Sequence, residues 1–131
     1  MAKLEGEFEV TSWDEDTYQK LEGERKLTKA SVTQKFTGDL AGEGSVEWLM
    51  SYGNDGKARF VGFQRIESTA MGQTGSVVIE SNGKFDGKKA VGTWSVLPGS
   101  GEGDLEGIAG KGKFEAPMGG KPSYSLEARF K

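Results

Sequence analysis

The feature that most constrains this fold is a hairpin signal at residues 45–68. Two runs of strand-forming residues flank Asn-Asp-Gly at positions 54–56, and these three residues tolerate the positive φ angles of a tight turn. A turn over residues 53–56 would pair Tyr52 with Lys57, and this register fixes which side chains share each face. Neither face is purely polar, so we expect something to cover each of them.

The same alternation of apolar and polar residues recurs along the chain. With the two hairpin strands it gives eight strand candidates, separated by turn signals such as Met71-Gly72, and it gives no amphipathic helix. The polar stretch at 13–24 predicts a loop. The spacing favours a single all-β domain over residues 1–131, either a barrel or a sandwich. The strand candidates lie near residues 4–12, 27–37, 45–52, 57–68, 74–85, 90–97, 108–115 and 124–131.

Parity links the faces of successive strands, because an even-length hairpin loop pairs an odd-numbered position with an even-numbered one. This inference holds only where no hairpin has an odd loop or a bulge. Applied to the four predicted hairpins, it places one set of side chains in the interior. The predicted interior set is Val32, Gln34, Phe36, Glu47, Leu49, Phe60, Gly62, Gln64, Val77, Ile79, Ser81, Trp94 and Val96.

Composition excludes several classes of chemistry. The chain has no histidine and no cysteine, which rules out a Ser-His-Asp triad, an imidazole base, a disulfide and a His- or Cys-ligated metal. Lys and Arg total 17 against 20 for Asp and Glu, and no basic stripe stands out. We therefore expect neither nucleic acid nor a membrane as a partner. The chain shows no long apolar run and no signal-like start, so we expect a cytoplasmic protein with no metal and no cofactor.

Four stretches carry a resemblance to a known family: LTKASVTQKFTGDLAGEGSVEWLMSY, FVGFQRIES, SNGKFDG and GTWSVLPGSGEGDLEGIAGKGKFEA. They resemble small bacterial proteins of unknown function, domain-of-unknown-function family 3224. The resemblance implies an eight-stranded, antiparallel, mainly up-and-down barrel, calycin-like and similar to allene oxide cyclase, and it implies no activity. It also implies Glu at the position of Gln64 and His at that of Ser81. Both differ here, so no shared chemistry is expected of these two positions.

Glu47 is the candidate for chemistry and the predicted catalytic residue. On the predicted inward face it lies near Gln34, Gln64 and Ser81, where burial would favour its protonated form. Such a carboxyl group suits a general acid or base, or an anchor for the polar end of a ligand. A hydrogen-bonded polar plug in a filled barrel is the plainer alternative. The predicted ligand-binding residues are Gln34, Glu47, Leu49, Phe60, Gln64, Ile79, Ser81, Trp94 and Tyr124.

Three functions follow from these residues. The leading one is a small-molecule binding barrel for an apolar or amphipathic molecule with one polar end. The second is a cyclase or isomerase that uses Glu47 as its acid or base, and it depends on fold analogy alone. The third is a structural homo-oligomer with a filled barrel.

The predicted outward face indicates self-association. A monomer rarely exposes a broad apolar patch, and apolar side chains flanked by Arg59 and Arg65 are typical of an interface. We therefore expect a two-fold homodimer. Its predicted interface residues are Val46, Trp48, Met50, Val61, Phe63, Val78 and Val91.

Overall fold

The computed structural model describes residues 2–70 and 72–130, and within these residues it contains strands and no helix. Met71, the first residue of one predicted turn, and Lys131, the last residue of the last strand candidate, lie outside the described residues. No described segment forms a helix that could cross a membrane. The all-β prediction is confirmed. The strands are β1 (Ala2–Lys20), β2 (Lys26–Phe36), β3 (Leu40–Tyr52), β4 (Ala58–Ala70), β5 (Gln73–Phe85), β6 (Lys89–Val96), β7 (Glu102–Gly103), β8 (Ile108–Pro117) and β9 (Ser123–Phe130).

Eight long strands close into an antiparallel ring. The sheet runs in the order β4-β3-β2-β1-β9-β8-β6-β5, and β5 pairs again with β4. The short strand β7 pairs only with the beginning of β5. The ring therefore has the predicted antiparallel, mainly up-and-down order, with β7 as an insertion between β6 and β8.

The predicted loop at 13–24 is wrong, because β1 continues through it to Lys20. The ladder with β2 runs as far as the pair Lys20 and Lys26, with irregularities after Val10 and Thr17. The pairing of β1 with β9 ends at Glu7. Beyond the irregularity after Val10, β1 pairs with β2 alone, and most of the side chains in this part of β1 are exposed. A strand that is solvated on both faces shows no alternation, so its sequence reads as a loop.

The predicted register of β3 is also wrong, and the cause is two loops of odd length. Tyr52 pairs with Ala58 across a five-residue loop whose ends are joined by the Gly53 N–H donating to the Lys57 carbonyl at 2.9 Å. Phe36 pairs with Gly42, which leaves five residues between these two paired positions. Each odd loop inverts the parity. The two inversions cancel beyond β3, so only this strand is turned over.

The inversion exchanges the two predicted faces of β3. Glu47 and Leu49, predicted in the interior, are exposed on the outside, with Leu49 at 50%. The predicted outward residues Val46, Trp48 and Met50 are buried inside instead. On the strands whose parity was predicted correctly, the residues that were predicted to face inward and are buried are Val32, Gln34, Phe36, Phe60, Gln64, Val77, Ile79, Ser81, Trp94 and Val96.

Seven aromatic rings form a connected layer inside the ring of strands. Neighbouring rings in this layer have centroids 4.7 to 6.3 Å apart, and Trp94 stacks on Tyr124 at 5.5 Å. Below this layer the interior is filled by aliphatic side chains, among them Ile66, Ile79 and Leu126. The rings of the layer are those of Phe8, Phe36, Trp48, Phe60, Trp94, Phe114 and Tyr124.

Glycine on a neighbouring strand makes room for five of these rings. A Cβ added to any of these glycines would lie 3.0 Å or less from an atom of the partner ring. Small barrels alternate large and small interior residues for this reason. The aromatic–glycine pairs are Phe36 with Gly44, Trp48 with Gly62, Phe60 with Gly83, Phe114 with Gly92 and Tyr124 with Gly6.

We predict that Gly62→Ala lowers the free energy of unfolding by about 1–3 kcal/mol, the usual cost of overpacking. The added methyl group would collide with the backbone carbonyl of Glu47 and the Trp48 ring. The control is Val61→Thr, one residue away and outward-facing, which should stay within about 0.5 kcal/mol of the wild type. Urea unfolding measures both. Equal stability of the two variants would contradict this account of the packing.

Candidate functional site

A cavity of about 290 Å³ opens above the aromatic layer, at the end where β3 turns into β4 and β5 into β6. All three tryptophans of the chain line it. Its volume lies at the lower limit for ligand pockets, and its lining is mainly apolar with few polar groups, as is usual for such sites. The lining residues are Phe8, Val10, Trp13, Gln34, Trp48, Met50, Tyr52, Ala58, Phe60, Gln64, Phe85, Ala90, Trp94, Phe114 and Ala116.

Two glutamine side chains supply amide groups to this cavity. Gln34 on β2 and Gln64 on β4 reach across β3, and Gln64 Nε2 donates a hydrogen bond to Gln34 Oε1. Only 6% of Gln34 and 2% of Gln64 is exposed. Neither side chain makes another hydrogen bond among the described residues. Two N–H groups of Gln34, one N–H group of Gln64 and the carbonyl of Gln64 therefore stay available.

A second buried polar spot lies on the neighbouring strands β5 and β6. Ser81 and Trp94 face each other across the ladder, and both are buried. Among the described residues, Ser81 Oγ and Trp94 Nε1 have no hydrogen-bond partner. Buried polar groups are rarely left without one, and a single ordered water between these two would satisfy both.

A carboxylate network sits at the mouth of the cavity. Glu15 accepts hydrogen bonds from Thr28 Oγ1 at 2.6 Å, from the Tyr52 hydroxyl at 2.7 Å and from Trp13 Nε1 at 2.9 Å. Burial alone would raise the pKa of Glu15, but these three hydrogen bonds outweigh it and hold the pKa below its ordinary value. Burial and the neighbouring carboxylate raise the pKa of Tyr52 well above its usual range. The network fixes two side chains of the cavity wall, Trp13 and Tyr52.

Of the nine predicted ligand-binding residues, the structure brings four to this cavity: Gln34, Phe60, Gln64 and Trp94. Ile79, Ser81 and Tyr124 are interior residues but do not line it. The Tyr124 hydroxyl instead donates to the Thr37 carbonyl at 2.7 Å and accepts the Leu40 N–H at 2.9 Å, which ties β9 to the β2–β3 loop. Glu47 and Leu49 lie on the outer face because β3 is inverted.

The outward position of Glu47 removes the predicted acid or base from the interior. Its Oε1 accepts a hydrogen bond from the Ser31 hydroxyl at 2.9 Å on the exposed face of the sheet. Among the lining residues, Tyr52 is the one with a titratable side chain. None of the described lining residues carries a carboxyl group.

Sequence reasoning did not predict the hydrogen-bond network at the mouth of the cavity. Trp13 was assigned to a loop, while Trp48 and Met50 were assigned to the outside. One signal was present: Trp13 and Glu15 lie two residues apart, on the same side of an extended strand. The hydrogen bond between Tyr52 and Glu15 joins residues 37 positions apart, and no local sequence pattern predicts it.

A larger surface depression, about 660 Å³, lies elsewhere on the protein. It crosses the outer surface of β5, β6, β8 and β9 and is more open than the cavity. Its rim carries charges of both signs, including Arg59, Lys84, Lys113 and Glu115. The smaller cavity is the better candidate because it is more enclosed and more apolar.

Comparison with known proteins agrees with this class of fold, a small barrel-like ring of antiparallel strands around an apolar interior. A family model described as "Protein of unknown function (DUF3224)" matches residues 4–127. The chain belongs to the DUF3224 family. A crystal structure of a protein of unknown function from the same family, from Shewanella oneidensis MR-1, is similar with a TM-score of 0.86 and 25% identity. The match covers 100% of this chain and 98% of that one. No curated protein matches the chain, and the likeness to allene oxide cyclase stays a prediction.

We predict that Glu15→Ala lowers the free energy of unfolding by about 1–3 kcal/mol at neutral pH, because it leaves the buried Thr28 hydroxyl without its acceptor. The folded-state pKa of Glu15 is depressed, so its stabilisation is present above the unfolded-state pKa and is lost as the pH falls through the folded-state value. The difference from the wild type should therefore shrink in acid. Denaturant unfolding at several pH values measures it.

Asp16→Ala is the matched control, because Asp16 is an exposed neighbour that makes no side-chain hydrogen bond among the described residues. It should change stability little at any pH. If Glu15→Ala and Asp16→Ala behave alike, the carboxylate network does not hold the cavity mouth.

Proposed function

We propose that this protein binds a small, mainly apolar molecule with one polar end in the cavity. The observation that carries this proposal is an enclosed apolar space that contains two buried amides with unused hydrogen-bonding groups. A volume of about 290 Å³ holds roughly ten non-hydrogen atoms, at about 30 Å³ per molecule of liquid water. A cytoplasmic location is part of the proposal and is supported by the absence of cysteine.

Binding is favoured over catalysis by the chemistry of the lining. The enzyme alternative needed an interior carboxyl group, and Glu47 lies outside. The filled structural barrel is disfavoured by the unoccupied volume above the aromatic layer, since protein interiors are normally close-packed. The polar groups that face the cavity are mostly amides and indoles, which bind and orient a molecule without exchanging protons at neutral pH.

We predict that 1-octanol, used as a probe, quenches or shifts the intrinsic tryptophan fluorescence in a saturable way. At about −0.5 kcal/mol per non-hydrogen atom, 1-octanol, with about nine such atoms, would bind with a Kd of about 0.5 mM. All three tryptophans line the cavity, so the signal reports directly on its occupancy.

Ala116→Phe fills the cavity with an additional ring and should abolish the saturable response. The control is Glu115→Phe, which adds the same ring one residue away on the exposed face of β8. It should leave the response intact. A wild type without a saturable response, or an Ala116→Phe variant that binds as well as the control, would overturn the proposal.

We propose, separately, a weak homodimer through the outer face of β3 and β4. Val46, Trp48 and Met50 are no longer part of it, because they face inward. Val61 and Phe63 remain from the predicted interface, and Leu49, predicted inside, joins them on this face. Each of the three is about half exposed, and Leu49 pairs directly with Val61. Three side chains supply far less than the roughly 800 Å² per partner of a stable interface. We therefore place a second copy of this chain on the patch only at high protein concentration.

Sedimentation should show this association at high micromolar concentration, and Phe63→Glu should abolish it without unfolding the protein. Phe63 is 56% exposed, so a charge there is solvated in the monomer and desolvated in the dimer. Lys84→Glu, at an exposed position away from the patch, is the control. A wild type that stays monomeric throughout contradicts the dimer.

A further inference from the structure

We infer that the polar end of the ligand is an uncharged group that both accepts and donates hydrogen bonds, such as a carboxamide, and that the cavity rejects a carboxylate. This inference depends on the proposed function and names the ligand class of the same site. It follows from the charges and the free hydrogen-bonding groups of the described lining residues.

The first argument is the absence of a counter-charge. None of the described lining residues is Lys, Arg, Asp or Glu. An ionised carboxylate moved from water into such a space loses its hydration and gains no opposite charge. A neutral polar group loses much less hydration free energy, and hydrogen bonds to the protein compensate for that loss.

The second argument is the pattern of donors and acceptors at the amide pair. After Gln64 Nε2 donates to Gln34 Oε1, the pair offers N–H donors from both side chains and a carbonyl acceptor from Gln64. A carboxamide satisfies both kinds of group, because its carbonyl accepts and its N–H donates. A carboxylate only accepts, and it would leave the Gln64 carbonyl facing another oxygen.

The third argument concerns the charges at the mouth. Among the described residues, Lys26 is a cation that lies against a lining side chain: its Nζ is 4.9 Å from the centre of the Tyr52 ring, and its charge acts on Glu15. Lys26 is not a lining residue, and the Glu15 carboxylate offsets its charge. This pair of charges therefore offers an entering anion no net attraction.

The experiment compares octanamide and octanoate, two probes with the same number of non-hydrogen atoms, at neutral pH. Tryptophan fluorescence and ligand-observed NMR measure each Kd. We expect octanamide to bind at least about tenfold more tightly than octanoate, because the carboxylate has no donor for the Gln64 carbonyl and finds no opposite charge in the lining. In Gln34→Met/Gln64→Met both partners become apolar at similar volume, so octanamide should bind more weakly than to the wild type while 1-octanol still binds.

The outcomes separate the two proposals. If neither probe nor 1-octanol binds, the proposed function fails. If octanoate binds as tightly as octanamide, the inference about the polar end fails and the binding cavity stands. Lys26→Met then locates the head group: weaker octanoate binding in this variant places the carboxylate at the mouth. Octanamide binding that is as tight in the folded double variant as in the wild type also overturns the role of the amides.

Discussion

The packing of large aromatic rings inside a narrow ring of strands is the constraint on which the rest of this structure depends. An eight-stranded closed sheet is just wide enough for side chains to fill it, yet this one holds seven aromatic rings. It does so because five of them lie against glycine on a neighbouring strand. The layer divides the interior: aliphatic side chains fill one half, and the half towards the β3–β4 turn stays open. The position of the cavity is thus a consequence of where the glycines fall.

Much of this architecture could be predicted from local patterns. Period-two alternation identified the long strands, and parity gave the inward face of β2, β4, β5 and β6. It failed on β3, because an odd number of residues, five, separates the last paired positions at each end of that strand. A glycine-rich turn such as the one at 53–57 fits several loop lengths, and a change of one residue turns every side chain of the strand over. The loop predicted at 13–24 was wrong for another reason. The part of β1 that runs through it is exposed on both faces and shows no apolar alternation.

The candidate site was predicted in part for the same reasons. Gln34, Phe60, Gln64 and Trp94 lie on strands whose parity was right, so their convergence could be expected. Trp48 lies on the inverted strand. The mouth depends on Glu15 meeting Thr28 and Tyr52, residues from three different strands. Such a meeting is set by the ladder register of β1, which the sequence of a solvated polar strand does not specify.

The inversion of β3 also decides which chemistry the interior can support. With Glu47 inside, the cavity would contain one carboxyl group and would suit proton transfer. With Glu47 outside, the buried polar side chains of the described residues are all neutral, among them those of Gln34, Gln64, Ser81 and Trp94. Neutral groups tolerate burial without a counter-charge, whereas an ionised group does not. An interior of this kind can keep hydrogen-bonding capacity unused within a stable fold, because each unmatched neutral group costs far less than an unpaired charge. That unused capacity, next to an open apolar space, is what a binding site for a neutral, weakly polar molecule requires.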